Sequence, residues 1–382
     1  MHDLIYFDNA ATTRVSKRVL DAMLPFFGEQ YFNPSSAYSA SAPVKEAINK
    51  AALQVAAAIG ADPSEIYFTS CATESNNWVF RLLRDGDHFI TTRIEHASVL
   101  NTAKQLEKNG FSVTWLGVDA EGRVSPDELR AAIKENTKLV SVMYTNNETG
   151  VVQPINELAA ICKEKGIVFH TDAVQAVGNV EINVKEQNIN LLSLTGHKFH
   201  APKGVGVLYL QKGIFVPNLL FGGEQGRGKR AGTENVANVV GLGQALEDAV
   251  AEMQEKNAAL AEIRELLLAG VMQIPKVRFN GSHHHNMPHI LNFSFAGVEG
   301  EGILLHLAMN NICCSSGSAC TSGSLEPSHV LMAMGLDHVL AQGSLRVSLS
   351  KYNTKQEVVY FLEILKQTIT KLRQMSPIWQ AD

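Results

Sequence analysis

Apolar positions between residues 42 and 60 recur at helical spacing. Val44, Ile48, Ala52, Val55 and Ile59 share one face, and Gly60 follows as a helix stop. A shorter helix is expected over 16–28, before a loop at Asn33-Pro34-Ser35-Ser36. From residue 65 the pattern changes to short apolar runs separated by helical segments. Strands are expected at 65–69, 88–92, 112–116, 137–144, 167–171, 189–192 and 205–210, with helices near 76–83, 97–108, 126–134, 155–165 and 183–188. Such alternation predicts an α/β fold with a mainly parallel, doubly wound sheet. Ligands of such sheets bind beyond the carboxyl ends of the strands. Polar clusters stand at those ends: Ser70–Ser75, Arg93–His96, Thr145–Gly150, Asp172–Gln175 and Thr195–Lys198.

A Gly-rich basic loop at 212–235 closes this region, and a long helix is expected over 236–270. Residues beyond it read as α+β, with strands near 277–280, 289–295 and 344–349 and helices near 299–310, 327–334 and 355–374. The expected division is a large α/β domain, 16–258, and a small α+β domain made of 1–15 and 259–382.

At 382 residues, with 45% hydrophobic and 19% charged residues, the composition is that of a globular protein with a large core. A net charge of -5 argues against nucleic acid or an anionic membrane as the main partner. No run approaches the ~20 apolar residues of a membrane span, and Met1 to Ala10 carry no basic leader pattern, so a cytoplasmic protein is expected. Five scattered cysteines are no disulfide framework, and none has zinc-site spacing. The His283-His284-His285 run lies in a polar turn, is expected to be an exposed loop, and no metal site is expected. Cys313 and Cys314 read as buried small hydrophobes.

Lys198 changes the picture. It sits between two apolar runs, where desolvation favours the neutral amine and suits it to Schiff-base chemistry. Thr195 and His197 flank it with groups able to hold an anion. Asp172 ends another apolar run, 26 positions earlier, and a carboxylate buried there calls for a cationic or hydrogen-bonding partner. A protonated pyridine nitrogen is such a partner, so the pair Asp172 and Lys198 fits pyridoxal 5'-phosphate. His96 is placed to stack on the ring, and Asn147 and Gln175 to bond its oxygen. The turn holding Ala72 and Thr73 enters a helix, where Thr73 is either an ordinary cap or a phosphate ligand. Cys320 stands in a run of small residues, about 314–326, as a chance surface thiol or a nucleophile. Arg346, in an alternating strand, either faces solvent or clamps a substrate carboxylate.

Eight segments in register go further. Asp8–Thr13, Asn33–Ser36, Ala72–Asn77, Asn146–Gly150, His170–Gln175, Gly196–Lys198, Arg230–Thr233 and Ser315–Cys320 resemble cysteine desulfurases of the NifS/IscS type. These belong to the class V aminotransferase group of fold-type I pyridoxal phosphate enzymes, and the likeness runs from residue 6 to about 357. It implies that Lys198 is the Schiff-base lysine, that Asp172 meets the pyridine nitrogen, and that His96 stacks on the ring and moves protons. Ala72, Thr73, Thr195 and His197 would line the phosphate site, and Asn147 and Gln175 would contact the ring oxygen. Thr233 would reach the phosphate in the other subunit of a homodimer. Asn33 and Arg346 would hold the carboxylate of L-cysteine. Cys320 would take the sulfur as a persulfide and hand it to an acceptor such as an iron–sulfur scaffold or a tRNA-thiolation enzyme.

The alternatives on the same sequence are a selenocysteine lyase or other C–S lyase, and a non-catalytic docking protein for a sulfur acceptor. The chain departs from the usual pattern at Phe32, Tyr38, Cys71, His200, Ala201 and Ser350. None of these removes a catalytic group. Crowding at Cys71 and Phe32 is expected to act on substrate fit and rate.

Overall fold

The computed structural model describes residues 4–316, 326–377 and 379, so Cys320 and most of its small-residue run lie outside the described residues. The first unit is built on seven strands: β2 (Ile66–Thr69), β3 (His88–Thr92), β4 (Ser112–Leu116), β5 (Thr137–Ser141), β6 (Val168–Asp172), β7 (Leu191–Thr195) and β8 (Gly206–Leu210). Their order is β2-β8-β7-β6-β5-β3-β4, parallel except at β8, which runs against both its neighbours. The expected mainly parallel sheet is therefore present.

Strand side chains alternate between two apolar layers. Phe89, Leu139 and Leu191 enter one core; Ile90, Val140 and Leu192, one residue further on, enter the other. The first core is closed by α3 (Ala72–Val79) and α4 (Ala97–Lys108). The second is closed by α1 (Lys17–Met23), α2 (Ala42–Ile59), α5 (Pro126–Ala132), α6 (Ile155–Glu164) and α7 (Val236–Ala251). A fully buried Leu or Ile contributes about 1.5–3 kcal/mol, which is why β8, buried at every position, is uninterrupted apolar sequence, while β3 and β7, equally buried, also hold His88, Thr91, Thr92, Ser193 and Thr195. Gly206 opens β8 where a Cβ would come 2.7 Å from the Cys71 carbonyl carbon, so glycine is what lets the sheet run up against the start of α3.

A separate core lies under the antiparallel sheet β12-β10-β9, formed by β9 (Val277–Phe279), β10 (Ile290–Phe295) and β12 (Ser344–Ser348). It is covered by α8 (Met253–Val271), α9 (Gly300–Ala308) and α12 (Lys355–Met375). The chain start joins this core. β1 (Ile5–Tyr6) pairs in parallel with β11 (Ile312–Cys313), and Phe7 packs edge-on against Phe361 at 5.5 Å. Two short helices, α10 (His329–Ala333) and α11 (His338–Gln342), sit against Ile94 and Met143 of the first unit. Among the described residues no helix is long and apolar enough to cross a membrane.

Several local expectations are corrected. The helix expected over 236–270 is two, α7 and α8, broken at Glu252, whose carboxylate pairs with Lys351 at 2.5 Å. No helix forms over 183–188. Asn183 Oδ1 takes the N–H groups of Lys185 and Glu186, and Asn188 turns the chain at φ 56°. Helix α3 starts at Ala72, four residues before the expected 76. Cys313 and Cys314 are half-buried at the rim of the third core. The histidine run does lie in an exposed loop.

Candidate active site

Parallel strands end together, so the polar residues that follow them converge. Asp172 is the last residue of β6 and is 4% exposed. Its Oδ2 accepts from Asn76 Nδ2 at 2.7 Å and its Oδ1 from the Val174 N–H at 3.1 Å. Asn76 Nδ2 also donates to Ser98 Oγ at 2.8 Å, and Ser98 Oγ lies 2.9 Å from His96 Nδ1. The result is one array, Asp172–Asn76–Ser98–His96, buried up to the half-buried His96 and crossing from the end of β6 to the start of α4. The Ser98 N–H donates to His96 Nδ1 at 3.2 Å, so Nδ1 is the acceptor and the ring proton of a neutral His96 belongs on Nε2.

Lys198 sits one turn beyond β7, in a short 3-10 stretch, Gly196–Lys198. Its Nζ donates to the carbonyls of Ala10 at 2.6 Å and Ala11 at 2.8 Å. Gln175 Nε2 donates to the same Ala10 carbonyl at 3.0 Å, which brings Lys198 and Gln175 to one point of the N-terminal strand–turn. His197 Nδ1 is 3.1 Å from Thr12 Oγ1. Burial first, then Lys198 and Lys203, push the His197 imidazole down to about 4, so it stays neutral. Thr195 is buried, and its hydroxyl donates to the Val205 carbonyl at 3.0 Å.

Buried Glu95, next to His96, is pushed up to about 8, mostly by desolvation with Asp172 adding to it. It holds the Thr92 hydroxyl at 2.8 Å and the Met143 N–H at 2.9 Å, fixing the turn into α4 from beneath.

Arg346 lies in β12 and is 3% exposed. Its Nη1 donates to the Asn147 carbonyl at 2.9 Å and its Nη2 pairs with Asp8 at 2.9 Å. Its Nε is buried with no partner among the described residues. Of the two readings open from sequence, the solvent-facing one is excluded. A guanidinium with an unpaired buried N–H beside Asn147 is a ready receptor for a carboxylate.

The remaining residues are placed apart from these. Thr73 is exposed in the first turn of α3, after buried Ala72. Cys71, at the N-cap, makes no side-chain cap bond, so the α3 N-terminus keeps its anion-binding capacity. Cys71 itself is in extended backbone, φ −174°, which any residue adopts. Asn33 is exposed, with Oδ1 taken by the Ser35 N–H at 2.9 Å, while Phe32 stacks on Tyr31 and meets Tyr38 edge-on. Exposed Thr233 lines a cleft of about 460 Å³ with Pro34, Ser35, Ser70 and Arg230, whereas Lys198 lines a different cavity. Arg230 grips Glu74 at 2.8 and 3.1 Å, which ties the 212–235 loop to α3 one residue after Thr73. His200 adopts φ +69°, held by Arg14 and Thr13 and packed on Tyr352.

Two features suit a bound pyridoxal group. Among the described residues Asp172 forms no ion pair, so a protonated ring nitrogen would complete a carboxylate already held in place on both oxygens. The uncapped α3 terminus with Thr73 would take a phosphate. Sequence reasoning missed Asn76, Ser98 and Asp8 as site residues. Asn76 stands inside the Ala72–Asn77 segment, one helical turn after Thr73, and that spacing was the available signal.

The fold and this set of strand-end residues define a class. The chain matches Aminotransferase class-V over residues 5–361 and belongs to that family. It is 50% identical to cysteine desulfurase IscS of Clostridium botulinum strain Hall, over all of this chain and 98% of that protein. It is 51% identical to cysteine desulfurase IscS of Methanosarcina thermophila, over 98% of this chain and 94% of that one. Among solved structures, a NifS-like protein superposes with a TM-score of 0.91 at 39% identity, over 96% of this chain and 100% of the other. SspA in complex with cysteine superposes at 0.81 and 37% identity, over 92% and 100%. The fold-type I architecture expected from the sequence is thereby shown.

Proposed function

We propose that this protein is a pyridoxal 5'-phosphate-dependent cysteine desulfurase, a sulfurtransferase that converts L-cysteine to L-alanine and captures the sulfur as a persulfide on Cys320. The observation that carries this reading is the Asp172–Asn76–Ser98–His96 array, set at the same strand ends that present Lys198. The cofactor, when bound, supplies an electron sink for the substrate's Cα.

This chain's residues then divide the work. Asp172 keeps the ring nitrogen protonated, His96 covers the ring, and Asn147 and Gln175 bond its oxygen. Ala72, Thr73, Thr195 and His197 frame the phosphate, with Thr233 reaching in from the second subunit of a homodimer. Arg346 and Asn33 take the substrate carboxylate, and Arg346 then exchanges Asp8 for the ligand or adds the ligand at Nε. Lys198 supplies the amine that holds the cofactor and moves the Cα proton. His96 carries a proton on Nε2, because Nδ1 is occupied. The Cys320 thiolate attacks the substrate sulfur. A S–S bond forms, the C–S bond breaks, and its electron pair stays with the carbon skeleton, which is protonated to alanine. Cysteine plus protein thiol gives alanine plus protein persulfide, with no outside oxidant.

The persulfide passes to an acceptor such as an iron–sulfur scaffold, in the cytoplasm. The division that goes with this reading is a large domain, 16–258, and a small one made of 1–15 and 259–382.

The test is an absorption spectrum of the purified protein before and after L-cysteine, with alanine measured in the same tube. A yellow band that shifts on cysteine while alanine accumulates supports the reading. A yellow protein that makes no alanine, or a protein that cannot take up the cofactor, refutes it. In a Cys320→Ser variant the shift persists and sulfur release is lost.

A further inference from the structure

The cavity lined by Lys198 is bounded by Phe199 and Ala245 of one core and by Leu260 and Leu349 of another. Gln175 also stands on its wall, but Asp172, His96 and Arg346 do not. It offers about 40 Å³ to the centres of water-sized molecules. About 10–15 Å³ of such space holds one water, so the cavity takes a few waters or one monatomic ion, and nothing the size of a substrate.

Its lining is cationic. Lys198, Lys256 and Lys351 face Asp248 and Glu252. Both acids are already paired, Asp248 with Arg18 at 3.4 Å and Glu252 with Lys351 at 2.5 Å. Lys256, on α8, holds only uncharged acceptors. Its Nζ donates to the Gly178 carbonyl at 2.5 Å and to Asn179 Oδ1 at 2.8 Å, which leaves a third N–H without an acceptor among the described residues. Desolvation pushes this amine down to about 8, with Lys351 adding to the shift and Glu252 opposing it. His289, just before β10, is 7% exposed, and its Nδ1 is buried with no partner among the described residues. Burial first, then the charge of Lys256, hold this ring down to about 3, so it is neutral and can carry its N–H on Nδ1.

A buried donor without an acceptor is costly, and a desolvated ammonium without a counter-charge more so. Water accepts from both but leaves the charge uncompensated. A small anion does both. A way in is also present. An outer cleft of about 340 Å³ shares Glu252, Lys256, Leu260, Ser350 and Lys351 with the inner cavity, so the Glu252–Lys351 pair stands between solvent and Lys256.

We propose that this cavity binds one halide-sized monoanion, held by the Lys256 ammonium and the His289 ring N–H, and that the bound anion favours the protonated form of the Lys198 nitrogen. The groups that face Lys256 are Glu252, Asp248, Lys351, His289, His200 and Lys198. His200 and His289 stay neutral and the two acids keep their partners, so the anion is released as pH rises and Lys256 loses its proton. The anion site stands on the cavity alone; its effect on Lys198 is read through the cofactor and rests on the desulfurase reading.

The experiment has two arms. Holoenzyme crystals are soaked in sodium bromide and the anomalous scattering of bromine is mapped. In solution, the pH midpoint of the yellow band is compared in sodium chloride and in sodium gluconate at equal ionic strength. Wild type is expected to show bromide in the cavity between Lys256 and His289, and a midpoint about half a pH unit or more higher in chloride. Lys256→Gln, which keeps a donor for Gly178 and Asn179 but no charge, loses both. Water alone in the wild-type cavity overturns the proposal, as does bromide that persists in Lys256→Gln. Bromide in the cavity with equal midpoints in the two salts overturns the link to Lys198. If Lys256→Gln does not fold, His289→Leu takes its place, with the same loss expected and persistence of bromide again overturning the site. A protein with no yellow band refutes the cofactor reading, and the bromide map then decides the anion site by itself.

Discussion

Replacing Asn76 by alanine probes the polar array at its centre. The side chain is fully buried, and its Nδ2 donates to the Asp172 carboxylate at 2.7 Å and to Ser98 at 2.8 Å. A hydrogen bond to a charged group contributes about 1.5–3 kcal/mol and a neutral one about 1. Against that, Asn76 Oδ1 is a buried acceptor with no partner, and removing it relieves a cost of about 1–3 kcal/mol. The two nearly offset in the fold, leaving a net loss of stability of about 1–2 kcal/mol. They do not offset in the site. Asp172 keeps only the Val174 N–H, and Ser98, which orients His96, loses its donor. Alanine formation is therefore expected to fall at least tenfold, equivalent to about 1.4 kcal/mol or more in the barrier. Urea unfolding of the cofactor-free protein gives the first quantity, and steady-state alanine formation by the holoenzyme gives the second. A folded Asn76→Ala protein with kcat within twofold of wild type would refute the array as a working unit.

Arg346→Lys keeps the charge but loses the planar fork that serves Asn147, Asp8 and an incoming carboxylate together. KM for L-cysteine is expected to rise at least tenfold with a smaller change in kcat, and an unchanged KM in steady-state kinetics removes Arg346 from the substrate site. Stability is expected to fall as pH drops from 6.5 to 5. Burial holds His170 and His289 down to about 3 and His88, His197 and His200 down to about 4, so these rings stay neutral when folded and take up protons once unfolded. Their contribution is present above 6.5 and lost as pH falls towards the folded values. Glu95 and Glu148, raised to about 8 and about 7, act in the opposite sense, since their folded forms already hold the proton, but the histidines outnumber them. One net proton is worth about 1.4 kcal/mol per pH unit. A urea midpoint that does not change between pH 7 and 5 contradicts this account.

Helices and strands of the first unit were legible because each buries one face or both, and burial writes a period into the sequence. The strand-end rule placed Asp172, His96, Asn147 and Lys198 in one region with no knowledge of contacts. Where the pattern failed, a side chain overrode it. Asn183 diverted 183–188 into turns by taking two backbone N–H groups, and the apolar period through 236–270 runs across the break at Glu252 without registering it. The pairing of β1 with β11 joins residues some three hundred positions apart through two-residue strands, too short to carry a period.

Sequence alone thus determined the alternating α/β order, the strand-end position of the candidate residues, and the chemistry available to lysine, aspartate and histidine at those ends. All of these follow from local periodicity and from residue type. Tertiary structure alone decided which polar atoms meet. It made Asn76 the link between Asp172 and Ser98, and it set Asp8 against Arg346 across 338 positions of chain. It also left Arg346 Nε unpaired among the described residues and placed Glu148 on Ser328. A hydrogen bond depends on a few tenths of an ångström and on an angle. That precision is created only when distant segments pack, and no run of residues along the chain records it.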